Sequence, residues 1–176
     1  MLLLWQVTID GHRILFGAHI YDFVLACANR PILDAFRKRL LEAFKGREPA
    51  RALSTLPGCE VIRDMVAGTT QLSQKHYAGE VLRTYGYWDT PRCLTPMTPH
   101  TRLSQNDCNM SPKPDFRKRY HSIVGSLGYL VTMTLPDLAW SYSELNKYVQ
   151  FPGQTHMDAA DHVLHYVRDT WDETIT

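Results

Sequence analysis

No paired or evenly spaced cysteines occur in this chain. Cys27, Cys59, Cys93 and Cys108 form no C-x-x-C, which excludes the common zinc ribbons, dithiol redox centres and disulfide frameworks. Unpaired thiols predict a reduced, intracellular protein without stable disulfides. An excess of either charge is also lacking: 19 Lys and Arg stand against 18 Asp and Glu, for a formal net charge of +1. The chain as a whole therefore exerts no strong pull on nucleic acid or membrane. No apolar stretch is long enough to span a bilayer. Met1-Leu2-Leu3-Leu4 gives way to Gln6, Thr8, Asp10 and His12, with neither a basic n-region nor a small-residue cleavage site. G-x-S-x-G, a phosphate-cradling glycine loop and H-E-x-x-H are missing, and with them the usual signatures of esterase, nucleotide-binding and zinc-protease chemistry. No internal repeat is present.

What is present has the balance of a globular protein, 44% hydrophobic and 21% charged over 176 residues. That is enough chain for one ordinary domain or two small subdomains. Asp10-Gly11, between residues 2–9 and 13–20, is a hairpin signal, because a primed turn needs the positive φ that Gly tolerates. His19-Ile20-Tyr21-Asp22 then lies between Ile14-Leu15-Phe16-Gly17-Ala18 and Phe23-Val24-Leu25-Ala26. Two apolar strands flanking an acidic turn predict a second reversal at Tyr21-Asp22 and a carboxylate presented on it. The resulting three-stranded antiparallel meander ends near Ala28. Asn29 can cap a helix over 31–44, opened by Pro31, in which Ile32, Leu33, Phe36, Leu40, Leu41 and Phe44 recur at helical spacing.

Residues 45–57 read as a loop, and 58–63 with 69–72 as a second hairpin. Ser73 can cap a helix over 74–85 that Gly86 ends. The stretch from Trp88 to Pro114, with Pro91, Pro96, Pro99 and Pro112, reads as an extended linker. Three helices follow: 116–133, in which Gly125, Ser126 and Gly128 allow close approach of a neighbour; 136–149, opened by Pro136 and closed by Pro152-Gly153; and 156–168. The fold class is α+β.

Candidate chemistry is sparse. Arg37-Lys38-Arg39 and Arg117-Lys118-Arg119 are basic clusters that face either a phosphate backbone or bulk water. His162 and His165 share a helix, with His156 and Asp161 nearby, but no third ligand falls on a matching face, so they read as surface residues. Ser104-Gln105-Asn106-Asp107 is a turn without the oxygen ligands of a Ca²⁺ loop. Tyr85, Tyr87, Trp88, Trp140 and Tyr142 are able to stack bases, yet their helical spacing places most of them in a core.

In their order along the chain, several segments resemble the reverse transcriptases of copia-type LTR retrotransposons (Pseudoviridae). His19-Ile20-Tyr21-Asp22 resembles the family's "YVDD" hairpin, and Leu56-Pro57-Gly58-Cys59-Glu60-Val61 its "FLGIEV". Leu72-Ser73-Gln74-Lys75-His76-Tyr77 is similar to "LSQKKYI", and Thr95-Pro96-Met97 to "TPM". Tyr120 with Val124-Gly125-Ser126-Leu127-Gly128-Tyr129-Leu130 is similar to "YRSAVGSLMYL". Leu135-Pro136-Asp137-Leu138-Ala139 resembles "RPDIAYAVS", with Leu135 where the family has Arg. Tyr148, Pro152-Gly153, His156 and Leu164-His165-Tyr166-Val167-Arg168-Asp169-Thr170 follow "RYMSNPGKEHWEAVKRILRYLKGT".

The resemblance implies a truncated reverse-transcriptase fold: distal palm hairpins with a degraded catalytic turn over 1–30, a thumb-like region with the second hairpin over 31–87, the linker over 88–115, and a helical connection over 116–176. It implies an RNA template, a DNA primer, deoxynucleoside triphosphates and Mg²⁺, together with absent upstream fingers and palm segments and an absent downstream ribonuclease H domain. Nucleotidyl transfer uses two divalent ions about 3.5–4 Å apart, gathered by carboxylates. Tyr21 stands where the family has the first Asp of the pair, so Asp22 alone remains as catalytic remnant and metal ligand. A polymerase fragment inactive by itself is the expectation. The alternative is a domesticated remnant: a nucleic-acid-binding module using His19, Arg37, Lys38, Arg39, Lys75, Arg117, Lys118 and Arg119, or a protein-interaction module. By analogy the location is cytoplasmic or nuclear.

Overall fold

The structure, a computed structural model, describes residues 3–19, 22–44, 55–56, 58–91, 93–99 and 101–176; for Leu3, His19, Asp22, Thr55 and Leu56 it describes the backbone alone. The fold is mixed α+β, and the chain divides into two compact units, Met1–Leu53 and Ser54–Thr176.

In the first unit, β1 (Leu3–Ile9), β2 (His12–His19) and β3 (Asp22–Cys27) form an antiparallel sheet in that order. Ile9 pairs with His12 across a two-residue turn in which Asp10 and Gly11 take φ of 49° and 75°. Those angles suit the primed turn that the Asp-Gly pair predicts. The second hairpin pairs His19 with Asp22, so Asp22 is the first residue of β3; Tyr21, expected beside it in the turn, lies outside the described residues. Helix α1 (Arg30–Phe44) starts where Asn29 Oδ1 accepts the Ile32 N–H at 3.3 Å. An aromatic ladder ties these elements together. Trp5 stacks on Phe16 at 5.1 Å, Phe16 on Phe23 at 5.5 Å, and Phe36 of α1 meets Phe16 edge-on at 6.4 Å. Only Ile14 and Gly17 are buried among the described residues of this unit.

The second unit joins a small sheet to a helical core. Strands β4 (Thr55–Leu56), β5 (Cys59–Asp64), β6 (Thr69–Ser73) and β7 (Thr174–Ile175) are antiparallel in that order. The hairpin of β5 and β6 follows the sequence expectation. β7 does not: the tail has little strand character, and its pairing with β6 comes from tertiary context.

Helices α2 (Lys75–Tyr85), α3 (Pro114–Met133), α4 (Ala139–Asn146) and α5 (Gln154–Thr170) build the core. Along α3 the buried residues are Tyr120, Ile123, Val124, Leu127 and Leu130, and along α5 they include Met157, Ala160, Val163, Leu164 and Val167. Both sets repeat at three and four residues, the period of a helix with one buried face. The expected helix over 136–149 is divided. Pro136–Leu138 is a 3-10 turn, and α4 stops at Asn146, because Tyr148 leaves the helix to donate to the Leu103 carbonyl at 2.9 Å and stack on His156 at 4.1 Å. Of the small residues in α3, Gly128 faces the Tyr142 ring, whereas Gly125 has no neighbour within 4 Å. The described residues between 88 and 113 form a strap along α5: Met97 is buried, and the Cys93 N–H donates to Asp169 Oδ2 at 2.8 Å.

Candidate functional site

Two groups of residues carry the chemistry read from the sequence, and each unit holds one. In the first unit the antiparallel register places His19 and Asp22 opposite each other, at the ends of β2 and β3. Arg37, Lys38 and Arg39 are consecutive on α1. Successive helical residues are turned by about 100°, so the three cations spread around the helix rather than forming one patch; Lys38 and Arg39 are exposed and Arg37 is half-buried.

In the second unit Lys75 opens α2 and pairs with Glu60 at 3.5 Å, an exposed ion pair. Arg117, Lys118 and Arg119, all exposed, lie in the first half of α3. The structure does not bring Lys75 to them. Arg119 meets α2 at Tyr85, the opposite end from Lys75, about 15 Å away at 1.5 Å per residue. Helical geometry also separates the triplet. Lys118 and Arg119 line a surface groove with Asp115, Ser122, Thr84 and Tyr85, whereas Arg117 is not among its walls.

That groove holds the most developed polar arrangement around the predicted residues. The Tyr85 hydroxyl donates to Ser122 Oγ at 2.7 Å, which fixes the ring against α3. The Arg119 guanidinium lies 5.9 Å from the centre of the same ring and 3.9 Å from Asp161 Oδ1. Asp161 also acts on Tyr87, whose hydroxyl is pushed up to about 12 by burial first and then by that carboxylate. Tyr87 is thus a neutral donor at physiological pH. A short helix face carrying a partly buried phenol ring beside two cations is able to hold a phosphate next to a base or sugar.

The three histidines of α5 point to different partners, so they form no ligand set. His156 is fully buried, with Nδ1 accepting the Gly153 N–H at 3.0 Å. His165 meets the Tyr87 ring edge-on at 5.0 Å. His162 turns toward the strap, with Nε2 3.2 Å from Cys93 Sγ. Sequence reasoning overlooks this last contact, because nothing local links two residues 69 positions apart. His162 and His165, expected at the surface, are half-buried, and His156, in the motif near Pro152-Gly153, is fully buried and serves packing. Of the five candidate stacking residues, Tyr85, Tyr87, Trp88 and Tyr142 are half-buried against the core and Trp140 is 59% exposed.

Among the described residues no three His, Cys, Asp or Glu side chains come together to hold a metal ion, and no helix is long and apolar enough to cross a membrane. All four cysteines are free thiols.

Comparison with known proteins gives two relatives. Over 169 residues the chain is 26% identical to the retrovirus-related Pol polyprotein from transposon TNT 1-94 of Nicotiana tabacum, an alignment covering 92% of this chain and 12% of the relative. Over 161 residues it is 30% identical to the retrovirus-related Pol polyprotein from transposon RE1 of Arabidopsis thaliana, covering 91% of this chain and 10% of the relative. The chain therefore spans about a tenth of the length of these relatives. No family model matches it. No solved structure matches it either.

Proposed function

Because this chain is homologous over about nine-tenths of its length to the Pol polyproteins of copia-type plant retrotransposons, we propose that it is a reverse-transcriptase segment of such a Pol, running from distal palm to connection and performing no nucleotidyl transfer by itself. The observation that carries this reading is the β2–β3 hairpin. Its register closes with His19 opposite Asp22, the positions that the resemblance matches to the aromatic residue and the second Asp of the family's turn, with Tyr21 in place of the first. The ordered similarity of the later segments supports the same assignment.

A pair of Mg²⁺ ions needs several hard oxygen ligands. This hairpin supplies one carboxylate, Asp22, next to Tyr21, a phenol that stays un-ionised at neutral pH. That donor set does not fit two dications, and no step of polymer synthesis is derived through them. The direct test is primer extension by the purified chain on an RNA template with a DNA primer, Mg²⁺ and all four deoxynucleoside triphosphates. Incorporation at the no-enzyme level is expected for the chain, for Asp22→Asn and for Tyr21→Asp alike. Extension by the unmodified chain above that level would overturn the proposal.

A second reading is favoured by the groove between α2 and α3, where Tyr85 stands beside Lys118 and Arg119. This surface would retain a grip on an RNA–DNA duplex without catalysing anything. Its affinity would fall with salt, and Lys118→Ala would flatten the logarithmic salt dependence by about one unit, the effect of one lost phosphate contact. Fluorescence anisotropy with a labelled duplex measures both quantities. An unchanged slope in Lys118→Ala would remove this groove from the reading.

A further inference from the structure

Away from that groove, the fold joins one pair of chemically active side chains. Cys93 on the strap and His162 on α5 come within 3.2 Å, Sγ to Nε2. The strap is anchored at the contact, by the Cys93 N–H on Asp169 at 2.8 Å, and beyond it by the buried Met97. The ring has a polar partner at each nitrogen. Nε2 is 3.1 Å from the Thr95 carbonyl, and Nδ1 is 3.4 Å from Thr98 Oγ1. The Thr98 hydroxyl both donates and accepts, so it satisfies Nδ1 in either neutral tautomer; with the proton on Nδ1, Nε2 is free to accept the thiol hydrogen, and in the imidazolium both N–H groups find acceptors. The thiol hydrogen, in turn, has two acceptors in reach, Nε2 and the Thr95 carbonyl at 3.2 Å from Sγ.

We propose that Cys93 is a modification site for small-molecule disulfides of the glutathione type, with His162 as the base that activates it. The sulfur of Cys93 attacks one sulfur of the disulfide. A new S–S bond forms as the old one breaks, and the departing half leaves as a thiolate that takes the proton His162 removed from Cys93. Cys93 is oxidised and the released thiol is reduced, so no further reagent is required. Cys93 is half-exposed, which leaves its sulfur within reach of a small disulfide; His162 also forms a wall of a depression with Thr98, Thr101, Thr155 and Asp158, of which Cys93 is not a wall. Charges around the pair come from Asp158 in that wall and from Asp169, which is itself paired with Arg168 at 2.7 Å. Cys27 and Cys108, also half-exposed, and the buried Cys59 provide comparison thiols in the same molecule.

The test is a time course of the folded chain with glutathione disulfide at neutral pH, quenched with acid and resolved by peptide mass spectrometry without reduction. Cys93 should form its mixed disulfide at least about tenfold faster than Cys27 and Cys108, the scale expected for a base-assisted thiol. Equal or slower reaction of Cys93 overturns the proposal without any variant. His162→Gln should bring Cys93 down to the rate of the other two while theirs stay constant, and an unchanged Cys93 rate in a folded His162→Gln chain also overturns it. Should that variant fail to fold, Thr98→Val keeps the imidazole but removes an acceptor for its second N–H. A selective slowing of Cys93 supports the proposal, and no slowing contradicts it.

Discussion

At Gly128 the backbone of α3 comes against the Tyr142 ring of α4, and a methyl group there would lie 2.8 Å from ring carbon Cε2. Gly128→Ala is expected to lower stability by about 1–3 kcal/mol, the usual cost of overpacking. Tyr142→Leu in the same chain should return part of that loss in a urea titration. Gly153 is tighter still, because an added Cβ would collide with the Asp107 carbonyl, which is backbone and cannot rotate away. Gln74 and Thr134 show how a motif residue is used internally. Both are buried, and the Thr134 hydroxyl donates to Gln74 Oε1 at 2.8 Å. Thr134→Val leaves that oxygen without its donor and should cost about 1–2 kcal/mol, with less than additive loss when combined with Gln74→Leu. In sequence, Gln74 is visible only as part of Leu72-Ser73-Gln74-Lys75. Its partner is 60 residues away, too far to leave a local period. His156 carries a pH dependence. Burial holds its pKa below the ordinary 6.5, opposed by the Ser104 backbone and the Asp107 carboxylate. The unfolded chain binds the proton first, so this stability is intact above about pH 6.5 and is lost as pH falls from there through the folded-state value. Thermal melts between neutral pH and about pH 5 should decline less steeply in His156→Gln than in the unmodified chain. An identical decline would assign the effect to other groups.

Among the elements, the end of α2 was legible from local chemistry. Gly86 closes α2 with φ 83° and ψ 25°, and its N–H reaches the carbonyls of Arg83 and Leu82. Alanine there enters a left-handed conformation that a Cβ disfavours, so Gly86→Ala should cost about 1 kcal/mol by chemical denaturation. No measurable loss would mean that the helix end rearranges. The N-cap residue of α2 is Gln74, which makes no side-chain cap hydrogen bond, while Ser73 Oγ accepts the Lys75 N–H at 3.3 Å. Asp10-Gly11 and the spacing of α3 and α5 were readable for the same reason as Gly86, since turn angles and helical period are written in adjacent residues. The early end of α4 and the strand character of Thr174 and Ile175 were not. The first depends on the contacts of Tyr148 with Leu103 and His156, and the second on the open edge of β6.

For the whole molecule, the two units differ in how they are held. The second has a continuous core in which Leu82, Tyr120, Ile123, Leu127, Leu130, Leu138, Leu145 and Leu164 are fully buried. In the first, no residue of α1 is buried. Amide hydrogen exchange should therefore be slowest in α3 and α5 and measurably faster in β1, β2 and β3, because protection follows the free energy of local opening. Equal protection of both sets would contradict this ranking. The relationship to Pol was readable from ordered motifs along nearly the whole sequence, and the relatives align over the same extent. The α2–α3 groove and the Cys93–His162 contact were not readable, since each forms only when distant segments pack. One last property follows from the neighbours of β6. Its first partner, β5, directly precedes it, but its second, β7, comes after four helices. During synthesis on the ribosome, the β5–β6 hairpin emerges while its outer edge is still waiting for residues 174 and 175. The short strand β7 thus sets when the sheet is completed: the pairing of β6 with β7 is late, and the nascent chain carries an uncovered β6 edge until then.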